Sequence, residues 1–304
     1  MPQIILMADW LHAFRLRTLP LALSSILLGS LLALWKAQFS MRVALAAIAT
    51  TLFLQILSNL ANDFGDFVNG VDNDNRVGPK RSLQSGNITK SQMKTAIAIF
   101  AVLAFVSGLW LLSEAFHRIG LQPTLLFFGF GLLAILAALG YTIGSKPYGY
   151  RGLGDLAVFL FFGIVGVSGT FFLHTNQLAP NELLPAIAIG LLATAVLNLN
   201  NMRDEVNDRN HGKHTLVVRL GYARAKIYHV ALLAGAILAS TAFVIMHYQS
   251  PYQFLFLVIC PLIIQNMVTV MRNTRQSELD KELKKLAIGT LLFALLLGIG
   301  MNIV

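Results

Sequence analysis

Charge is what this 304-residue chain has least of: Asp, Glu, Lys and Arg together make up 12% of it, and only 14 residues are acidic. Soluble domains carry about 25% charged residues, so a water-soluble globular fold is excluded at the outset. Cysteine is reduced to Cys260, in an apolar run, which rules out disulfides and thiolate metal clusters. There is no linker or low-complexity tract, and a single integral-membrane domain over residues 1–304 is expected. No cleavable leader is evident, since the first apolar run follows Arg17, is long enough to span, and leads into eight more.

What is present is apolar sequence. Hydrophobic residues make up 56% of the chain, and the mean hydropathy is +0.68. Runs near the ~20 residues needed to cross a bilayer fall at 19–36, 42–61, 93–113, 123–144, 153–173, 183–202, 225–246, 252–271 and 285–303. They predict an all-α polytopic membrane protein, a bundle of nine transmembrane helices around a central cavity. With the N-terminus inside, twenty of the 23 Lys and Arg residues fall in cytoplasmic segments, leaving Lys36, Arg42 and Arg118 outside. That asymmetry is the positive-inside pattern, and it sets the C-terminus on the periplasmic side of a cell inner membrane. It also accounts for the net charge of +9 through anionic lipid headgroups, without nucleic acid as a partner. Residues 3–14 are amphipathic, suited either to the membrane surface or to packing on the bundle.

The few acids are not scattered. "LSNLANDFGDFVNGVDNDNRVGPKRS" (residues 57–82) ends the second run, and "NLNNMRDEVNDRNHGKHTLVVRLG" (198–221) ends the sixth. On a helix Asn62 and Asp66 share one face, as do Asn200, Asp204 and Asp208. The two units sit at the same end of two runs of equal direction, which points to one shared site. Eight of the 14 acids (Asp63, Asp66, Asp72, Asp74, Asp155, Asp204, Glu205, Asp208) can converge on one mouth. Asp74 and Glu205 read as solvated loop residues, and His211 and His214 as loop residues rather than zinc ligands. Clustered carboxylates need a cation, and oxygen donors without sulfur suit Mg²⁺ or Mn²⁺. The cations after each cluster (Arg76, Lys80, Arg81; Arg209, Lys213) complete a diphosphate clamp. A diphosphate above a greasy interior suggests an isoprenoid diphosphate, whose departure leaves an allylic cation for an electron-rich acceptor.

A third segment, "YTIGSKPYGYRGLGD" (141–155), adds Lys146 and Arg151 as anion ligands and Tyr141 and Tyr148 at the substrate. Asn59 and Asn200 are assigned to substrate, with Gln55 one turn from Asn59. Asp155 is either a helix-start acid or a partner for Arg151. Phe159, Phe161, Phe162, Phe171 and Phe172 are suited to a prenyl tunnel, though core or lipid-facing positions are the commoner use. The rival class is an ion-coupled transporter.

Along nearly its whole length the chain resembles the UbiA superfamily of intramembrane prenyltransferases. "NDFGD" is similar to the first aspartate motif, which implies diphosphate–Mg²⁺ roles for Asn62, Asp66 and Asp72. "DEVND" is similar to the second, which implies that Asp204 and Asp208 are Mg²⁺ ligands. Asp66, Asp204, Lys146 and Arg151 are then the expected catalytic residues. Where the 4-hydroxybenzoate branch has its last acid of motif one, this chain has Gly70, followed by Asp72. Tyr141 and Lys146 are five apart rather than four. These features, with "GKHTLVVRLG", resemble the branch that prenylates 1,4-dihydroxy-2-naphthoate in menaquinone synthesis, although His214 stands where that branch is expected to have Arg. The implied partners are a polyprenyl diphosphate, an aromatic naphthoate acceptor and membrane lipid. Homogentisate, 4-hydroxybenzoate or a haem are the alternative acceptors.

Overall fold

The computed structural model describes residues 7–73, 77 and 80–303. Arg76, Asp74, the start of the amphipathic segment (residues 3–6) and Val304 lie outside the described residues.

In a hydrocarbon environment a backbone must satisfy its own hydrogen bonds, which leaves helices as the solution for long apolar runs. Among the described residues nine helices are long and apolar enough to cross a membrane. They are α1 (Met7–Trp35), α2 (Met41–Val68), α3 (Lys90–Ile119), α4 (Leu121–Gly140), α5 (Gly154–Thr175), α6 (Pro180–Asn210), α7 (Tyr222–Met246), α8 (Pro251–Arg272) and α9 (Gln276–Asn302). The chain is an all-α, multi-pass membrane protein.

Each apolar run became a helix, and several helices outlast their runs. α2 continues to Val68 and α6 to Asn210, so Asn62, Asp66, Asn200, Asp204 and Asp208 all ride on the last turns of spanning helices. α9 starts at Gln276, nine residues before its apolar run, because Lys281, Glu282, Lys284 and Lys285 are helix formers and Asp280 suits the N-terminal end of a helix. α3 starts three residues early, where Thr89 and Gln92 form a capping box (Thr89 N–H to Gln92 Oε1 2.9 Å).

α1 is broken. A helix over Met7–Phe14 ends at Arg15, whose φ of 51° is left-handed, and a 3₁₀ turn over Leu16–Thr18 leads into the spanning part. The first segment packs on the bundle, with Ala13, Trp10 and Phe14 against Leu60, Leu83, Ile88 and Met93. The Asp9 carboxylate accepts from Asn87 Nδ2 (2.7 Å). This break turns Arg15 and Arg17 inward.

α6 is the most buried span, packed against α5, α7 and α9. α1 packs along α9, and α2 along α3. α4 has no buried residue and lines part of the cavity. α5 runs as a π-helix over Phe159–Gly169, with Gly163 tight against Ala186 and Gly190 of α6. Next to Asp66, Gly65 admits the loop after α4: a Cβ there would lie 2.5 Å from the Thr142 carbonyl oxygen. Thr142 in turn donates to the Ala61 carbonyl (2.9 Å).

That contact generates a test. Gly65→Ala is expected to lower stability by about 1–3 kcal/mol through overpacking, read as a lower thermal midpoint of the detergent-purified protein. Gly129→Ala, with open space at its Cβ, is expected to leave the midpoint unchanged or raise it slightly.

Candidate active site

One cavity of about 380 Å³ runs down the bundle, walled by α1 to α6 with Leu283 from α9. α7 and α8 contribute no wall residue. At one end its lining is polar: Asn59, Asn62, Asp66, Arg81, Asn200, Asp204, Asp208 and Lys213. From there it descends along α2 to Ala47, about 28 Å at 1.5 Å per residue. The walls below are apolar, with Phe105, Phe127, Phe128, Phe130, Phe161 and Phe162 among them. Phe159, Phe171 and Phe172 are absent from the walls: Phe159 packs on Gly190, Phe171 is core, and Phe172 stacks on Phe127.

The α2 cluster is built around two carboxylates with different partners. Asp63 is clasped by Arg15 and Arg81. Asp66, 2% exposed, accepts from the Tyr150 hydroxyl (2.7 Å) and from Lys213 Nζ (3.3 Å). Tyr150 reaches it because the loop turns tightly at 148–151, where Gly149 lies against Tyr141. Asp72 is buried beside Arg81 Nε (3.7 Å) and is not a wall residue. Asn59 donates to the Phe14 carbonyl (2.9 Å) and Thr18 Oγ1 (3.0 Å), so its amide ties the α1 break to α2. Gln55 donates to Asn59 and Thr18.

The α6 cluster faces it. Asp204 is held bidentately by Arg203, through Nε (2.9 Å) and Nη2 (2.7 Å). Asn200 Oδ1 accepts from the same guanidinium (2.8 Å). Asp208 lies 4.0 Å from Lys213 Nζ, so Lys213 bridges the two clusters. Burial alone would lower the Lys213 pKa, but Asp66 and Asp208 outweigh it and hold it above the usual lysine range. The ammonium therefore keeps its charge at every pH below about 10, and the bridge weakens only above that. Burial raises the Tyr150 and Tyr141 hydroxyls, Asp66 adding to the first, and pushes Tyr148 up to about 12. All three remain hydrogen-bond donors at working pH.

Other expected residues stand elsewhere. Lys146 and Arg151 are exposed and outside the cavity wall. Lys80 is exposed and outside it too. Arg209 points to solvent and pairs with Glu205, which also accepts from Gln276 (3.3 Å). Tyr141 and Tyr148 line the cavity, the latter donating to the Ala137 carbonyl (2.9 Å). Asp155 is buried facing Tyr228 and is not a wall residue. His211 and His214 are exposed loop residues. Arg15, Arg17, Tyr150 and Arg203 were missed as site residues. Arg15 and Arg17 had registered only as positive-inside charges, and Arg203 falls between the helical spacings that single out Asp204.

Among the described residues no three His, Cys, Asp or Glu side chains stand close enough to hold a metal ion alone. The donor chemistry nonetheless fits a hard divalent cation. Asn62, Asp66, Asp204 and Asp208 line one mouth, and Asn62 Oδ1 is buried without a hydrogen-bond partner. A small cation that keeps waters and takes substrate phosphate oxygens needs only one or two of these carboxylates.

Tyr150→Phe removes one charge-assisted hydrogen bond from Asp66, about 1.5 kcal/mol, and is expected to lower kcat/KM roughly tenfold. Tyr148→Phe is expected to cost less than about threefold, because its hydroxyl serves a carbonyl. Steady-state kinetics on the two variants read the difference.

Known proteins share both sequence and fold. Residues 22–299 match the model of the UbiA prenyltransferase family. The chain is 45% identical over 291 residues to the 1,4-dihydroxy-2-naphthoate octaprenyltransferase of Escherichia coli (strain K12), covering 96% of this chain and 94% of that protein. It is 41% identical to the protein of the same name from Haemophilus influenzae, covering 97% and 96%. A UbiA homolog from Aeropyrum pernix K1 superposes with a TM-score of 0.68 at 19% identity, covering 95% and 98%. One from Archaeoglobus fulgidus, bound to GPP and Mg²⁺, does so with 0.62 at 17%, covering 97% and 100%. The chain belongs to the UbiA prenyltransferase family.

Proposed function

We propose that this chain, acting as one domain, transfers a polyprenyl group from a polyprenyl diphosphate to 1,4-dihydroxy-2-naphthoate. CO₂ and diphosphate are lost, and the product is demethylmenaquinol of menaquinone biosynthesis. The observation that carries the reading is the meeting of the α2 and α6 carboxylates at one mouth of a deep apolar cavity. The two naphthoate prenyltransferases at 45% and 41% identity support the choice of acceptor.

Asn62, Asp66, Asp204 and Asp208 would hold Mg²⁺ at the mouth, and the ion would supply positive charge to offset that of the diphosphate. Lys213, charged and buried between the clusters, stabilises the departing diphosphate, and Arg81 is a second cation in the wall. The apolar walls keep water from the allylic cation. The ring carbon supplies the electron pair for the new C–C bond, and the carboxylate leaves as CO₂, restoring aromaticity without a strong general base.

The acceptor carboxylate needs its own cation. Arg15, Arg17, Arg81 and Lys213 line the cavity, while Lys146 and Arg151 do not. All four are paired, Arg15 and Arg81 with Asp63, Lys213 with Asp66 and Arg17 with Asp280, and Arg17 is the candidate because its side chain is the most exposed of them at 30%.

Three outcomes are expected. Asp66→Asn and Asp204→Asn each lower turnover about a hundredfold, in line with losing a ligand-class interaction, while carboxyl-labelled naphthoate releases one labelled CO₂ per product in the wild type. Efficient prenylation of 4-hydroxybenzoate or homogentisate without the naphthoate would overturn the acceptor. Arg17→Ala raises the acceptor KM roughly tenfold, the worth of a charged hydrogen bond, and Lys146→Ala and Arg151→Ala change it little. The reverse order would return the carboxylate to the loop.

The reading places the protein in the inner membrane, with its N-terminus and the mouth cytoplasmic and the end of α9 periplasmic, on the Lys/Arg asymmetry. In a Cys260→Ser background, an impermeant maleimide on intact cells should label Gln177→Cys and spare Ser145→Cys, both exposed loop positions. Labelling of Ser145→Cys alone would invert the topology.

A further inference from the structure

The carboxylate that organises the α6 side of the site does not line it. Asp280, near the start of α9, accepts from Arg203 Nη1 (2.7 Å) and Arg17 Nη1 (3.2 Å), and pairs with Lys284 (3.2 Å). It joins α1, α6 and α9 at one point. Arg203 is 1% exposed, so its guanidinium is almost wholly withdrawn from water. Four of its five N–H donors are accounted for by Asp204, Asp280 and Asn200. Neither Arg203 nor Asp280 belongs to the cavity wall, whereas Asp204 and Asn200 do.

This arrangement has two consequences for Asp204. The fork from Arg203 takes one lone pair from each carboxylate oxygen and fixes the carboxylate plane. A carboxylate offers about four acceptor positions, and the fork uses two of them. The second consequence is electrostatic. A lone buried guanidinium against Asp204 would cancel its charge and repel a divalent cation. The negative charge of Asp280, on the far side of the guanidinium and shared with Arg17 and Lys284, offsets part of that repulsion.

We propose that Asp280 is a positioning residue for the divalent-cation site: through Arg203 it fixes the orientation of Asp204 and preserves its effective negative charge. The inference rests on the metal–diphosphate reading above and extends it to a residue outside the cavity. Groups that orient a ligating carboxylate typically change metal affinity about 10–100-fold when removed.

The test is metal binding by the purified full-length chain, followed by the electron paramagnetic resonance signal of free Mn²⁺. Mn²⁺ is titrated alone and with an unreactive allylic thiolodiphosphate. Asp280→Asn is expected to lower the unfolding midpoint, because buried Arg203 loses a partner, and also to raise the Mn²⁺ Kd of the folded fraction roughly tenfold, with Asp280→Glu restoring most of both. A purely structural role would lower the midpoint and leave the Kd of the folded fraction unchanged, and that result overturns the proposal. Should Asp280→Asn not fold, Arg203→Lys serves in its place. Lysine cannot reproduce the planar two-point fork on Asp204, and the same rise in Kd is expected, with an unchanged Kd again overturning the proposal. If wild type binds Mn²⁺ and the variants bind equally well, this inference fails alone. If wild type binds none in either condition, the metal reading fails with it.

Discussion

Carboxylates in the interior of a membrane bundle must find compensating charge within the protein, and the mouth of this cavity is organised by that demand. Removing one partner from a buried ion pair typically costs about 3–5 kcal/mol. Here the partners come from separate segments: Arg15 from the break in α1, Arg81 from the loop after α2, Lys213 from the loop after α6, and Arg203 from α6 itself. The unusual backbone features follow from these pairings. Arg15 takes a left-handed conformation at the point where its side chain turns to Asp63. The loop after α6 folds back so that Lys213 N–H reaches the Asp208 carbonyl (2.8 Å) and its Nζ reaches Asp66.

Asp66 is held by Lys213 and the Tyr150 hydroxyl, and Asp204 by the Arg203 fork, which offsets the repulsion of two negative groups facing one another across the mouth. An incoming diphosphate with its cation brings both signs of charge, so it can engage Lys213 and the carboxylates together. The side of the bundle away from the cavity is fastened by polar contacts. His229 of α7 bonds Asn266 of α8 (2.8 Å), which donates to Glu282 of α9 (3.0 Å). This chain braces the three helices that add almost nothing to the cavity wall. The first turn of α9 is thereby fixed where Asp280 meets Arg203.

Much of this was legible in the amino-acid order, for identifiable reasons. Bilayer thickness forces apolar runs of similar length, so the spans announce themselves. Spacing by four placed Asn62 with Asp66 and Asn200 with Asp204 and Asp208, and all five line the cavity. What spacing cannot show is which way a loop turns. Lys146 and Arg151 are close to both clusters in chain order, yet the turn at 148–151 sends Tyr150 inward and leaves those cations exposed. Asp72 reads as a continuation of motif one, but the chain has left the helix at Val68, and Asp72 ends beside Arg81. Arg203 was hidden by adjacency, since a residue next to Asp204 should lie on another helix face. A guanidinium is long enough to fold back onto the neighbouring carboxylate.

The central claim is that the two acidic clusters form one cation–diphosphate site. Its most direct test is a manganese anomalous-difference map from crystals grown with Mn²⁺ and an unreactive prenyl thiolodiphosphate. The account predicts density at the mouth, bounded by Asn62 and Asp66 on one side and Asp204 and Asp208 on the other, with the prenyl chain directed along α2 toward Ala47. Manganese bound to one cluster alone with the diphosphate elsewhere, or density only at the exposed loops, would contradict it.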